Sequence, residues 1–538
     1  MEIPTHLLVV LLGAWFIFTQ IIFRPLFTHN YDPEMPYFFS ALNIVKGQSI
    51  VYIDHPGTPV EILGAILLGV LIPIAKLNQT PFVAYILRNP DQFFFLARGF
   101  VVLVNMVSVV LVSRFFAKHV FRSGVTGGLI AALYFIIHPD AISMTIVWSH
   151  NSFNFAGGTL LLLLLYHSAC KDRPFHWKEA AGLGIAGGVL TSVTLYLGCW
   201  VIGIGITIFL KCLYRNDGWW KAFMLTTLST FASGLGFIIS TLPILPKYPQ
   251  LVNWVYQLAI HQGRYGSGEV GGVPPLEMAT RLADITRGAP QFTTAFAITL
   301  AFAILVLLIR VKGVQSGIHP AGKFAFLTAL TIQVAINLII VLKHPGLIYM
   351  LSVAATIPIL FGVSLDLLAN ENRINLQIAY PAAGVVLILV LFSFFQAGKS
   401  FINTRQDIIR IEREIDHELS VIAEENGKSR DDLRILRTYG LYSPCFALWF
   451  GNDYGGGQFN PEISSLCPKD YELNIFTNVI PAVGNFDSSQ WDVIVTRKNF
   501  TQVDMMSKTD YEKYKEILFR NDRSYGPVVL FVNPKMDP

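Results

Sequence analysis

Two carboxylates near the start of the chain, Asp32 and Glu34, flank Pro33 in the run HNYDPE at 29–34. On an extended turn, two acids at this spacing can present one side chain as a general base while the other orients it or binds a polar substrate. The same acids could instead cap the helix that follows, because the positive end of a helix stabilises a carboxylate. The spacing alone leaves both interpretations open.

A second polar motif follows the first after about twenty residues and reads DHPGTP at 54–59. Its histidine, His55, could bind an anionic or polar group beside Asp54. The alternative is a turn fixed by the aspartate and the prolines, in which the imidazole makes a structural hydrogen bond.

Three cationic side chains stand at the ends of apolar runs, namely Arg98, Lys343 and His344. Basic side chains in such positions can hold a phosphate group at the membrane interface. They can also be ordinary anchors whose apolar stems lie along the membrane while the charge reaches the headgroups.

A glycine-rich run, HQGRYGSG at 261–268, combines flexible backbone with Arg264 and Tyr265. The arginine offers a forked donor for phosphate or carboxylate, and the tyrosine offers a flat apolar face for a ligand. Such a loop could close over a bound ligand, or it could be an exposed linker. It lacks the preceding strand that a nucleotide-binding glycine loop requires.

Composition places these motifs in a membrane protein. Of the 538 residues, 53% are hydrophobic and 14% are charged, which is too apolar for a soluble protein of several domains. Lys and Arg number 40 against 36 Asp and Glu, so the net charge is only +4 and no polybasic surface for nucleic acid is predicted.

Apolar runs of membrane length recur along the first three quarters of the chain and predict about eleven helical crossings. They lie at 7–23, 96–113, 124–138, 152–169, 180–196, 197–213, 222–243, 292–310, 324–342, 346–365 and 379–397. The first run follows an acidic tip and precedes no small-residue cleavage site, so a retained helix is predicted there, and not a signal peptide.

Orientation follows from four short loops rich in Lys and Arg, which should remain in the cytoplasm. These loops lie at 114–122, 171–178, 211–221 and 310–323. Counting the run 60–76 as a crossing would place all four outside, so an interfacial segment is predicted there. The long loops 24–95 and 244–291 then share the outer side with the turn at 343–346.

After residue 397 hydropathy falls and charge rises, which predicts a transmembrane domain at 1–397 and a soluble α/β domain at 398–538 on the outer side. Two of the five cysteines, Cys445 and Cys467, fall in this outer domain. A disulfide between them and a pair of buried free thiols are both compatible with the sequence.

The order of these motifs resembles the GT-C superfamily of polytopic glycosyltransferases, particularly the protein O-mannosyltransferase and aminoarabinose transferase group. In that group an acidic motif follows the first helix, as Asp32 and Glu34 do, and a His-Pro-Pro or Lys-Pro-Pro motif comes next, where this chain has Asp54-His55-Pro56. The likeness continues at Arg98, which opens the next long apolar run. It ends at Lys343-His344-Pro345 with Tyr349, similar to a late basic-aromatic motif.

This chain departs from the resemblance at three places. Where many relatives have a carboxylate before the fourth crossing, the sequence reads SHNS at 149–152, so Asn151 would have to take over that role. The next helix often carries a lysine in relatives, but the sequence here reads LTSVT at 190–194. The His-Pro pair is followed by Gly57 in place of a second proline.

The resemblance implies an inverting hexosyl or pentosyl transferase that moves a sugar from a polyprenyl-phosphate carrier to an acceptor hydroxyl on an envelope glycan, lipid or protein. Asp32 would be the base and Glu34 would assist it. The donor phosphate would be held by His55, Arg98, Lys343 and His344. Substrate contacts would come from Asp54, Asn151, Arg264, Tyr265 and Tyr349.

A lipid-phosphate leaving group needs no strong acid, so neither a metal nor another cofactor is expected. The expected location is a bacterial inner membrane, crossed many times, with the active site and the C-terminal domain in the periplasm.

Two other function classes fit the same architecture. A lipid or glycolipid transporter or flippase would place ionisable residues inside the spans and often show two related halves. A non-catalytic envelope assembly factor would keep the fold and tolerate loss of Asp32.

Overall fold

The computed structural model describes residues 3–29, 31–120, 124–262, 269–315, 321–343, 346–368, 376–438, 443–467, 470–473, 492–497, 515–519 and 528–533. Helices dominate this part of the chain. In chain order they are α1 Ile3–Ile22, α2 Tyr31–Val45, α3 Thr58–Leu77, α4 Phe82–Arg88, α5 Pro90–His119, α6 Gly124–Ile137, α7 Ala141–Met144, α8 Asn154–Ala169, α9 Trp177–Val193, α10 Cys199–Tyr214, α11 Trp219–Ser240, α12 Tyr248–Ile260, α13 Pro275–Gly288, α14 Pro290–Gln315, α15 Ala321–Lys343, α16 Leu351–Leu368, α17 Leu376–Glu425, α18 Pro444–Tyr454 and α19 Asn460–Leu466.

The polytopic membrane architecture predicted from hydropathy is confirmed. Each of the eleven apolar runs falls on a helix, and among the described residues nine helical segments are long and apolar enough to cross a membrane. Three of the eleven runs fall on helices shorter than this length, since α6 has 14 residues, α8 has 16 and α9 has 17. Helix α10 also has 16 residues, but with the 3-10 turn before it the helical segment Leu195–Tyr214 reaches 20.

The run that was predicted to be interfacial forms α3, one continuous helix of 20 residues. Along one side Ile66, Val70 and Leu77 are exposed, while Leu68 and Leu71 on the other side are buried. A helix that is apolar on both sides suits contact with lipid on one and with protein on the other. By length and composition α3 is itself among the nine candidate spans, so its interfacial placement stays a prediction.

The chain divides into two compact units. Unit 1 comprises Met1–Ile17, Ile53–Val60 and Arg98–Ala397, and unit 2 comprises Phe18–Tyr52, Glu61–Ala97 and Gly398–Pro538. Unit 2 therefore combines the part of the chain after residue 397 with two earlier segments that include most of the first predicted outer loop.

Unit 1 is a helical bundle in which small residues let backbones approach closely. Gly184 and Gly188 of α9 face Ser229 and Ser233 of α11, and a Cβ at either glycine would overlap the backbone carbonyl oxygen of its partner. Closely spaced glycines of this kind are a common means of packing helices in membranes.

One end of α15 is fixed by a buried ion pair. Lys323 Nζ lies 2.5 Å from Asp366 Oδ2 of α16, and the Tyr166 hydroxyl of α8 donates to the same oxygen at 3.3 Å. The Asp366 side chain is completely buried. A buried carboxylate without a partner would be strongly destabilising, so this contact fixes the position of α15 relative to α16 and α8.

Unit 2 contains a five-stranded mixed sheet, which confirms the α/β character predicted for the C-terminal region. The strands are β1 Ile435–Thr438, β2 Asp470–Leu473, β3 Val493–Arg497, β4 Lys515–Phe519 and β5 Val528–Val532. Their order is β2-β1-β3-β5-β4, with β1 parallel to β2 and β3, and β5 antiparallel to β3 and β4. Cys445 and Cys467 form a disulfide in this unit.

Candidate functional site

A cavity of about 560 Å³ lies within unit 1. Its walls come from α12, α13, α15 and four connecting segments. The lining residues are His55, Leu195, Tyr196, Trp254, Val255, Leu258, Ala259, Gly272, Val273, Met278, Ile339, Ile340, Val341, Lys343 and Tyr349. Most of these side chains are aliphatic or aromatic, and Lys343 is the cation among them.

His55 stands on the cavity wall in a backbone conformation that few side chains adopt. Its φ is +65°, in the left-handed region, which costs a residue with a Cβ about 1–2 kcal/mol. The imidazole stacks on His150 with ring centroids 4.4 Å apart and meets Trp254 edge-on at 5.7 Å. These two aromatic contacts fix the direction in which the ring points.

His150 supports that stack as a neutral ring. It lies in a short turn before α8, and burial lowers its pKa well below the ordinary value, with the nearby His55 as a smaller cause. Because burial disfavours the charged imidazolium, His150 adds no positive charge beside His55 at neutral pH.

A tyrosine pair links the cavity wall to Asn151. The ring of Tyr349 lies 6.3 Å from His55 and 6.0 Å from Tyr196. The Tyr196 hydroxyl donates to Asn151 Oδ1 and accepts from Asn154 Nδ2 at 2.7 Å. Asn151, predicted to bind substrate, therefore contacts Tyr196, and Tyr196 is the residue that lines the cavity.

Lys343, at the last position of α15, is held on two sides. Its Nζ donates to the backbone oxygen of Ala259 in α12. Arg281 of α13 donates from Nη1 to the backbone oxygens of Leu342 at 3.0 Å and Lys343 at 2.7 Å, and from Nη2 to Glu277 at 2.5 Å. The final carbonyls of a helix lack partners within it, so Arg281 satisfies two of them and places positive charge at the negative end of α15.

We expect Arg281→Gln to lower the free energy of unfolding by about 1–3 kcal/mol, because two partly buried carbonyls would lose a charged donor. Thermal unfolding of the purified protein measures this as a fall in the apparent Tm. Arg287→Gln is the matched control, since Arg287 lies in the same helix, is 76% exposed and pairs with the exposed Asp284. Equal Tm values for the two variants would show that Arg281 does not hold the end of α15.

The acidic motif lies at the start of α2 in unit 2. Asp32 has φ −107° and ψ 117°, an extended conformation, and its side chain is exposed, whereas Glu34 in the first helical turn is completely buried. The two acids thus differ in access to solvent. Asp32 can meet a substrate at the positive end of α2, and Glu34 faces the protein interior.

The remaining predicted site residues have different positions. Arg98 lies in α5 with 1% of its surface exposed, so it is enclosed by protein and does not extend toward the lipid headgroups. Asp54, which precedes His55, is half-buried. Among the described cavity-lining residues neither Arg98 nor Asp54 occurs. His344, Arg264 and Tyr265 lie outside the described residues.

Apolar walls around one cation suit an amphipathic ligand with a long apolar chain and an anionic head. Trp254, Tyr196, His150 and Arg281 belong to this arrangement but were not selected from the sequence as site residues. Only Arg281 has a local signal, its spacing of four residues from Glu277 on a helix.

No protein-family model and no curated protein matches the sequence. Among solved structures, the chain is similar to the crystal structure of ArnT from Cupriavidus metallidurans bound to undecaprenyl phosphate, with 10% sequence identity, 99% of each chain covered and a TM-score of 0.49. ArnT is an aminoarabinose transferase of the GT-C superfamily, the group that the sequence motifs resemble. At this identity and TM-score the likeness assigns the chain neither a family nor an activity.

Proposed function

We propose that the protein is a membrane glycosyltransferase that moves a hexosyl or pentosyl group from a polyprenyl-phosphate carrier to a hydroxyl of an envelope glycan, lipid or protein. The observation that carries this proposal is the cavity of unit 1, where Lys343 and His55 stand among apolar and aromatic walls. Nine helical segments of the described residues are candidate spans. The order of sequence motifs supports the same function.

The cavity suits the chemistry of such a donor. Side chains such as Leu258, Ile339 and Met278 can pack against a prenyl chain, and the Lys343 ammonium can pair with the phosphate. A donor whose tail stays in the bilayer requires a binding site that the membrane can reach, and helices of membrane length supply it.

The proposed reaction is a single displacement. Asp32 takes the proton of the acceptor hydroxyl as its oxygen forms a bond to the anomeric carbon. The bond between that carbon and the phosphate oxygen breaks, and its electron pair leaves with the phosphate. Lys343 and His55 stabilise the departing anion, and because attack comes from the opposite side, the anomeric configuration inverts.

The other residues selected from the sequence keep supporting roles in this proposal. Glu34 assists Asp32 from the protein interior. Arg98 and His344 are further candidates for the phosphate. Substrate contacts are proposed for Asp54, Asn151, Arg264, Tyr265 and Tyr349, with Asn151 acting through the Tyr196 hydroxyl.

We further propose a bacterial inner-membrane location with 1–397 as the transmembrane domain and with 398–538 and the active site in the periplasm. The four basic loops support this orientation. The disulfide of Cys445 and Cys467 supports it too, because it requires an oxidising compartment and lies in the unit that contains Asp32.

The test is sugar transfer by the purified protein in vesicles that contain a polyprenyl-phosphate donor labelled in the sugar. The proposal predicts label on a hydroxyl acceptor together with release of polyprenyl phosphate. Movement of intact labelled lipid between leaflets without release would indicate a flippase, and neither transfer nor movement would indicate an assembly factor.

A further inference from the structure

Helix α2 presents one stripe of side chains to the C-terminal helix α18 of the same unit. Met35, Phe39 and Asn43 are spaced by four residues, so they share a face, and none of the three is exposed. Gly451 of α18 packs against this stripe so closely that an added Cβ would lie 2.6 Å from Phe39 Cδ2 and 2.7 Å from Met35 Cβ. Only glycine fits at this contact without movement of α2.

The same stripe is held by a hydrogen bond at its far end. Asn43 Nδ2 donates to the backbone oxygen of Gly455 at 2.9 Å, one helical turn beyond Gly451. Gly455 is close to Phe39 as well, since a Cβ there would lie 3.0 Å from Phe39 Cβ. The contact thus extends along two turns of α2, starting at the residue next to Glu34.

The segment that makes this contact is a closed hairpin of α18 and α19. Cys445 in α18 is bonded to Cys467, directly after α19. At the turn between the helices, Asn452 donates to Asn460 Oδ1 at 2.6 Å and accepts from the Phe459 amide at 3.0 Å. The ring of Phe459, the residue directly before α19, lies 5.7 Å from that of Phe39, so α18 and the turn that leads into α19 both pack on the same residue of α2.

We propose that the α18–α19 hairpin holds α2 in place, and that Gly451 and Asn43 are positioning residues for Asp32 and Glu34. The C-terminal domain would then set the direction of the acidic motif through this contact. The inference rests on the proposed function for the role of Asp32 and Glu34, whereas the contact itself does not depend on it.

The experiment compares Gly451→Ala with Gly69→Ala in the full-length protein. Both replace a helical glycine of unit 2, but a Cβ at Gly69 meets nothing within 4 Å. We expect Gly451→Ala to lower kcat about tenfold, because a small displacement of a catalytic group has a large effect, while the donor KM stays within about twofold. Gly69→Ala should keep both constants of the parent.

A second measurement keeps the proposal testable if turnover is absent or if Gly451→Ala fails to fold. Hydrogen exchange of residues 31–45 is measured for the parent, for Asn43→Asp and for the Cys445→Ser/Cys467→Ser double variant. Both changes should speed amide exchange in α2 about tenfold, as expected when a local contact is released.

Exchange equal to that of the parent in both variants would overturn the inference, as would faster exchange with unchanged kcat. If the parent shows no sugar transfer, the proposed function is refuted. Faster exchange of α2 in the two variants would still establish that the hairpin holds α2.

Discussion

An Asp32→Asn variant is expected to transfer sugar about 10²–10⁴-fold more slowly than the parent, the range that a positioned general base contributes. The amide keeps the size of the side chain and its place at the start of α2 but cannot accept the acceptor proton. Because Asp32 is exposed, the substitution should leave the fold and the donor KM nearly unchanged. Steady-state kinetics with labelled donor measures both constants.

Asp416→Asn is the matched control for Asp32. It removes another exposed carboxylate of unit 2, which lies in α17 and pairs with Arg430 at 3.2 Å. Its kcat should equal that of the parent. If Asp32→Asn also keeps the parent kcat, Asp32 is a helix cap without a part in the chemistry.

Lys343→Gln is expected to raise the donor KM about 10- to 100-fold, because a hydrogen bond to a charged group contributes about 1.5–3 kcal/mol. Glutamine preserves a donor for the Ala259 carbonyl, so the end of α15 should remain in place while the charge is lost. Lys343→Arg keeps the charge and should recover much of the affinity.

Two controls test whether Lys343 pairs with the phosphate: a ligand that lacks the phosphate, and a substitution of a lysine elsewhere in the chain. Binding of a polyprenol without phosphate should be the same in the parent and in Lys343→Gln. Lys76→Gln removes an exposed lysine from the end of α3 and should leave the donor KM unchanged. An equal loss of affinity for the phosphate and for the alcohol would show that Lys343 shapes the cavity without pairing with the phosphate.

The helical architecture could be predicted from the sequence because membrane-length apolar runs are a strong signal. Every such run proved to be a helix, including α6, α8 and α9, which are shorter than a full span. The interfacial placement predicted for α3 rests on the charges of the later loops. The helix itself does not decide it, because a 20-residue apolar helix has the same structure whether it lies at the interface or spans the membrane.

The cavity could be predicted only in part. His55, Lys343 and Tyr349 were selected by motif order, and all three line the cavity, although His55 is almost 300 residues away from the other two. Trp254 and Tyr196 were missed, because an aromatic residue in an apolar stretch looks like any core residue. Their role follows from long-range packing that no local pattern encodes.

The solvent exposure of several candidate residues could not be predicted from their sequence positions. Arg98 has the sequence position of a membrane anchor, yet it is enclosed within the bundle. Asp32 and Glu34 are two residues apart, yet one is exposed and the other is buried. The contact of α18 with α2 joins segments about 400 residues apart, and no local sequence pattern predicts it.

The most direct test of the proposed reaction is the anomeric configuration of its product, read by NMR during turnover of a polyprenyl-phosphate sugar of defined configuration. A product with the opposite configuration is expected, since the proposed reaction, with Asp32 as the base and the phosphate as the leaving group, is a single displacement. A product that retains the donor configuration would contradict this mechanism, and the absence of any product from a donor that binds the cavity would contradict the transferase itself.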